Sequence, residues 1–205
     1  AIVVRPGDDF ASLIKNAEEG SVFALMPGTF KIMSEDETGT SAVAISKSIE
    51  IKGIYPTAAP VIQGRFEIND GASVSIDNVV LDGSANVSAD QAFNFKTADA
   101  TYANVIIKNS EIKNFGKGVF YVNVACTINE ITFKNCLIHD IECDGGDMFD
   151  CRKGRIDNFN LLESTIYNSA ASRDFIRMDD ASALGGAPVI TVNKCTIDGA
   201  SNKAK

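Results

Sequence analysis

Six segments of the chain repeat one alternation of apolar and polar residues: SIEIKGIYP at 48–56, VSIDNVVLD at 74–82, VIIKNSEIK at 105–113, ITFKNCLIH at 131–139, FNLLESTIY at 159–167 and ITVNKCTID at 190–198. Aligned on their fifth residues, Gly53, Asn78, Asn109, Asn135, Glu163 and Lys194, they recur at intervals of 25, 31, 26, 28 and 31. A period of this length is one supersecondary unit per repeat. It points to a solenoid in which each unit buries its apolar face only against its neighbours.

The aligned columns give each unit a geometry. Four and two residues before the anchor stand Ile49/Ile51, Val74/Ile76, Val105/Ile107, Ile131/Phe133, Phe159/Leu161 and Ile190/Val192. Apolar residues at every second position are what a half-buried strand requires. One and three residues after the anchor stand Ile54/Pro56, Val79/Leu81, Ser110/Ile112, Cys136/Ile138, Ser164/Ile166 and Cys195/Ile197. The inward parity therefore changes at the anchor, which demands a bend there. Asn at three successive anchors suits a bend, because Asn tolerates the left-handed backbone region.

A third strand follows, with inward pairs Phe66/Ile68, Phe93/Phe95, Phe120/Val122, Phe149/Cys151 and Ile176/Met178. Three short strands per coil, with like stacked on like, predict an all-β fold. The expectation is a right-handed single-stranded parallel β-helix of about six to seven coils. A β-sandwich is the main rival, but it does not require columns that persist through every repeat. One helix is expected, N-capped by Asp8 or Asp9, with an apolar stripe of Phe10, Leu13, Ile14 and Ala17 and an end at Gly20. It would cap the N-terminal end of the solenoid. The chain reads as one domain, 1–205, with the cap at 1–20 and coils over 21–205. No matching cap follows the last repeat, so the protein is expected to continue past that end, to pair with something there, or to have been trimmed.

Composition limits the partners. There are 19 Lys and Arg against 27 Asp and Glu, a net charge of −8, which argues against nucleic acid and anionic membranes. It does not exclude an anionic glycan bound at a local basic patch. No apolar run approaches the ~20 residues that span a bilayer. No leader peptide is legible ahead of the strand-like run at Ala1. The five cysteines, Cys126, Cys136, Cys143, Cys151 and Cys195, are an odd number without a CxxC pair. They read as small buried hydrophobes, with Cys143 and Cys151 the one close pair to test as a disulfide.

The opening VVRPGDDFASLIKNAEEGSVFALMPGTFK at 3–31, with its Pro27-Gly28-Thr29-Phe30 turn, resembles the start of the pectate-lyase-like superfamily. The repeats over 48–198 resemble the parallel β-helix repeats of the same superfamily. Within it the chain looks most like β-helix domains of bacterial surface lipoproteins associated with polysaccharide use. The resemblance implies a secreted, periplasmic or cell-surface protein, acidic polysaccharide as partner, and further domains of a longer chain. Lyases of this fold need a cation that neutralises the uronate carboxylate and a Lys or Arg base that removes the adjacent proton.

The outward residues of the third strand supply candidates. One column reads Glu67, Asn94, Tyr121, Asp150 and Arg177, and the next reads Asn69, Lys96, Asn123, Arg152 and Asp179. Neighbouring coils lie ~4.8 Å apart, so Asp150 should stack beside Arg177 and Arg152 beside Asp179. The plain reading of this crossed quartet is a salt-bridge ladder that holds coils in register. The functional reading is a sugar groove, with Tyr121 as a stacking platform, Lys96, Asp150, Asp179 and Asn123 as ligand contacts, and Arg152 and Arg177 gripping carboxylate or sulfate. For catalysis, Arg152, Arg177 or Lys153 would be the base. The acidic loop with Asp144, Asp147 and Asp150 is the candidate metal site; no cofactor is required, and calcium is the cation such a loop would take. His139 reads as an incidental surface residue.

Three functions compete: a non-catalytic glycan-binding β-helix, a polysaccharide lyase, and a structural solenoid or adhesin segment. The connections at 83–92, 139–147 and 181–188 favour the first two, since insertions in repeat proteins often wall a binding face. Glycan binding leads, because the lyase signal lies in the fold alone.

Overall fold

Each anchor from the second coil onward is a left-handed corner. In the computed structural model, which describes residues 1–32, 42–84, 90–143, 146–169, 173–179 and 183–200, Asn78, Asn109, Asn135, Glu163 and Lys194 have φ of 56°, 52°, 51°, 52° and 54°. One such residue reverses the inward parity and swings the chain from one sheet into the next. Asn adopts this region at lower cost than most residues. Gly53, the first anchor, is glycine for lack of space: a Cβ there would lie 2.2 Å from the Asn78 carbonyl oxygen. A second left-handed column closes the next corner, with Asn114, Asp140, Asn168 and Gly199 at φ of 63°, 52°, 48° and 64°. It is legible in the sequence as a recurrent Asn, Asp or Gly five residues after the anchor.

The strands form sheets of nine, seven and six strands. Every strand pairing is parallel and joins one coil to the next: Val105–Lys108 lies between Val74–Asp77 and Thr127–Lys134, and Phe120–Val122 between Phe93–Phe95 and Phe149–Cys151. The expected parallel solenoid with three strands per coil is the observed fold.

Between the sheets lies one continuous core. Its centre is a stack of phenylalanines, in which Phe133 packs against Phe93, Phe120, Phe149 and Phe159 at ring-centroid distances of 5.6–6.5 Å. At the corners the inward residues are small and polar for a reason. Ser110 and Ser164 accept hydrogen bonds from the Val79 and Cys136 N–H groups of the preceding coil, and donate to Lys108 and Leu162 carbonyls. These hydroxyls satisfy backbone donors that the bend takes out of the ladder.

Two expectations need correction. Ile54 and Pro56 do not belong to the inward columns: Ile54 and Tyr55 are exposed, and Ile62 pairs with Leu81 in their place. Pro56 cannot donate to a ladder, so the chain loops out and resumes its strand only at Val61–Gln63. The helix is also shorter than its apolar stripe. It runs Phe10–Lys15 with Asp9 as N-cap, and Phe10 meets Phe23 and Phe30 edge-on at 5.7 Å, closing the N-terminal end of the core. In the last described coil, Ile190, Val192 and Ile197 continue the inward columns but are 45%, 44% and 42% exposed. No helix is long and apolar enough to cross a membrane among the described residues.

All five cysteines are free thiols, and Cys126, Cys136, Cys143 and Cys151 are buried. Burial pushes Cys126 and Cys136 up to about 11 and Cys151 up to about 12. In the native protein a thiol reagent such as dithiobis(nitrobenzoate) should therefore modify one cysteine, Cys195, rapidly, and all five only after unfolding. Replacing Phe133 by Ala should lower stability by about 3–5 kcal/mol in urea unfolding, because four rings lose a partner at once.

Candidate functional site

The outer face of the six-stranded sheet is built from short strands whose inward Phe and aliphatic residues fix which side chains point out. Register places Glu67, Asn94, Tyr121, Asp150 and Arg177 in one line, as the repeat columns require. Over this line runs a groove of about 340 Å³, lined among others by Asn94, Lys96, Lys117, Tyr121, Asp150 and Arg152. Lys96 is exposed and enters no ion pair among the described residues. Lys117 pairs with Asp90 at 2.9 Å on the groove's border.

One side of the groove is a wall of successive connections tied to each other through their backbones. The Lys117 N–H donates to the Asp90 carbonyl, Lys117 and Cys143 form an antiparallel bridge, and the Arg173 N–H donates to the Gly146 carbonyl. Gly118, at φ 125°, lets two connections touch: a Cβ there would sit 2.6 Å from the Asp147 carbonyl oxygen.

At the far end of the groove lies a cluster of charges arranged differently from the expected crossed quartet. Asp150 and Arg177 are register partners, as expected. The ion pairs, however, run along each strand. Arg152 bonds Asp150 with Nη2 at 2.5 Å, and Arg177 bonds Asp179 through Nε at 2.7 Å and also through Nη2. The centre of the cluster is Asp147. It has no exposed surface, and its carboxylate accepts from Arg173 (3.0 Å), Arg177 (3.3 Å) and the Asp174 N–H (3.1 Å), with Arg152 at 3.7 Å.

The electrostatics follow from this geometry. Burial pushes Asp147 up, but the hydrogen bonds from Arg173, Asp174 and Arg177 outweigh it and hold the carboxyl below its usual range. Burial raises Asp150 above that range, against the partial offset of Arg152. Hydrogen bonds to Asp150, Asp147 and Asp179 hold Arg152, Arg173 and Arg177 respectively above the ordinary guanidinium value. An arginine is charged at neutral pH in any surroundings, so what these contacts add is a fixed direction for each guanidinium.

The remaining sequence candidates fall as follows. Tyr121 is in the groove, but the guanidinium of Arg152 lies 5.0 Å above its ring, so that face holds an arginine and is closed to a sugar. Asn123 stands between Lys96 and Arg152 in its column, with its side-chain oxygen buried and unbonded. Lys153 is exposed on the bend after Phe149–Cys151 and joins none of the described ion pairs. Asp144 lies outside the described residues. Asp147 and Asp150 do not form an acidic pool: arginines surround them, and no group of three His, Cys, Asp or Glu that could hold a metal occurs among the described residues.

Two features escaped the sequence reading. Asp147 as the hub was hidden because its partners Arg173 and Arg177 come from the following coil. His139 is also not a free surface residue. Its ring nitrogens lie 2.7 Å from Glu111 and 2.5 Å from Asp140, and it stacks on Tyr167 with centroids 4.7 Å apart.

Comparison with known proteins adds family and fold. The family model described as "Domain of unknown function (DUF4957)" matches residues 28–169, more than half of the chain. No curated protein matches the sequence. Among solved structures, the PL6 family alginate lyase AlyGC is similar at 14% identity and a TM-score of 0.48 over 96% of this chain. An arginine-to-alanine mutant of that enzyme is similar at 16% identity and a TM-score of 0.51 over 95%. The chain spans 39% of the length of each of these lyase chains. At this identity the likeness speaks for the fold.

Removing the hub carboxylate leaves three guanidiniums without their shared counter-ion. Asp147→Ala should lower stability by about 1–3 kcal/mol near neutral pH, since Arg152 and Arg177 keep Asp150 and Asp179 and all three guanidiniums reach solvent. The sign with pH follows from the lowered carboxyl: its contribution is complete above the unfolded carboxylate range of ~4 and is lost as pH falls through the folded value. The gap between wild type and Asp147→Asn in urea unfolding should therefore shrink as the solution is acidified below that range.

Proposed function

We propose, from the premise that the chain belongs to the DUF4957 family, that it binds acidic polysaccharide in the groove on the outer face of the six-stranded sheet. The observation that carries this reading is the groove's lining. Lys96, Lys117 and Arg152 line it alongside Asp90 and Asp150, so cations outnumber carboxylates there on a protein whose net charge is −8. A groove of that sign on an acidic surface suits a chain with negative charges spaced along it. The coil spacing of ~4.8 Å is close to the length of one pyranose unit. A glycan running along the solenoid axis would thus present about one sugar per coil to Lys96, the edge of Tyr121 and Arg152, the accessible side chains of three successive coils.

The fold shared with an alginate lyase supports a polysaccharide ligand, and the groove's cations favour a uronic-acid one. Binding is preferred to β-elimination because the groove's one arginine is engaged by Asp150 through two of its nitrogens and lies over the Tyr121 ring, which fixes it as an anion contact. A polymer of this kind is met outside the cytoplasm, so the same reading puts the protein in secretion or at a bacterial surface.

Affinity electrophoresis against alginate, polygalacturonate and a neutral glucan tests the proposal, run with and without calcium. Retardation by an acidic polymer, weakened by salt and reduced about tenfold in affinity by Lys96→Ala with Lys117→Ala, is the expected result, a loss of about 1.4 kcal/mol. Equal retardation by the neutral glucan, or none by any polymer, would sink it. Incubation with the same polymers should produce no ultraviolet-absorbing unsaturated ends; their appearance would move the function to lyase.

A further inference from the structure

We infer that Asp179 is an internal competitor for the ligand: its carboxylate occupies on Arg177 the place that a sugar carboxylate takes when an acidic glycan binds. The inference rests on the groove reading above and deepens it by naming how acidic and neutral glycans are told apart.

The three carboxylates of the cluster are not alike. Asp147 has no exposed surface and is shared by several guanidinium and backbone donors, so it is a fixed counter-ion. Asp150 is 1% exposed beneath Arg152. Asp179 sits just beyond the strand Ile176–Met178 with its side chain 42% exposed. One of its oxygens takes both Nε and Nη2 of Arg177. A guanidinium edge presented this way to a carboxylate is how arginine takes an anionic ligand. An exposed pair of this kind contributes little to stability, so a competing carboxylate meets little resistance.

Position and charge agree. Arg177 is the register partner of Asp150, which lines the groove, so it continues the line of Asn94, Tyr121 and Asp150 by one coil. A glycan lying along that line reaches Arg177 with its next sugar. Asp147, Asp150 and Asp179 balance Arg152, Arg173 and Arg177 in charge, so the resting cluster is neutral. Turning Asp179 out to solvent leaves one positive charge for one incoming carboxylate. A neutral sugar cannot replace that charge-assisted bond, so the displacement favours acidic glycans.

Calorimetric titration with a mannuronate hexamer and with its carboxyl-reduced, neutral counterpart tests this. Asp179→Asn keeps the side-chain shape and removes the competing charge. It should bind the acidic hexamer about fivefold tighter than wild type, a gain of about 1 kcal/mol, with no gain for the reduced hexamer. Adding Arg177→Gln should abolish the gain. If wild type binds the acidic hexamer and Asp179→Asn binds it no tighter, the competitor role is wrong and the groove reading stands. A gain that survives Arg177→Gln, or appears equally with the neutral hexamer, also overturns it. If neither protein binds either hexamer, both readings fall.

Discussion

Everything in this structure depends on the parallel pairing of each strand with its counterpart one coil away. That pairing turns residues some 19–32 positions apart in sequence into neighbours about 4.8 Å apart, and it does so in parallel on all three sheets. The left-handed corners make the pairing possible. Asn78, Asn109 and Asn135 bend the chain at the same point of each coil, and serine hydroxyls bond the N–H groups that the bend would strand. A surface site on such a scaffold is a property of a column, not of a sequence motif. No local pattern around Asp150 announces that Tyr121 and Arg177 flank it; only the repeat does.

That explains how much was legible. The repeat columns named the outward line of the third sheet, because inward Phe93, Phe120 and Phe149 fix the parity of their neighbours. They failed at Ile54, where Pro56 interrupts the first coil and no second proline-bearing repeat exists to show the interruption. They also missed the hub. Asp147 lies on a connection, where no column applies, and its burial comes from Arg173 and Arg177 of the next coil. The carboxylates of that loop read as a candidate metal site because several oxygens on one turn can surround a hard cation; the arginines that the turn of the solenoid brings to them are not visible in the local sequence. Likewise His139 sits in an outward column, yet Tyr167 of the next coil covers it.

The same geometry shapes the chemistry. Clamping three guanidiniums on one buried carboxylate fixes their positions, at the cost of a cluster that is neutral at rest. An arginine so held is a poor base and a good anion receptor. With Lys117 paired to Asp90 and Arg152 to Asp150, Lys96 supplies the excess positive charge of the groove, and the wall through Asp90, Lys117, Cys143 and Gly146 gives it depth. Fold alone does not assign a function; the lining of the groove, with its fixed guanidinium and its lysines, is what the proposed anion binding rests on.

The central claim is that an acidic glycan lies along the solenoid axis in the groove lined by Lys96, Tyr121 and Arg152. A crystal structure of the protein soaked with an oligouronate tests it most directly. The account expects sugar rings stepping from coil to coil along that line, with carboxylates near Lys96, Lys117 or Arg152. Sugar bound on either of the other two sheets, or lying across the axis, would contradict it.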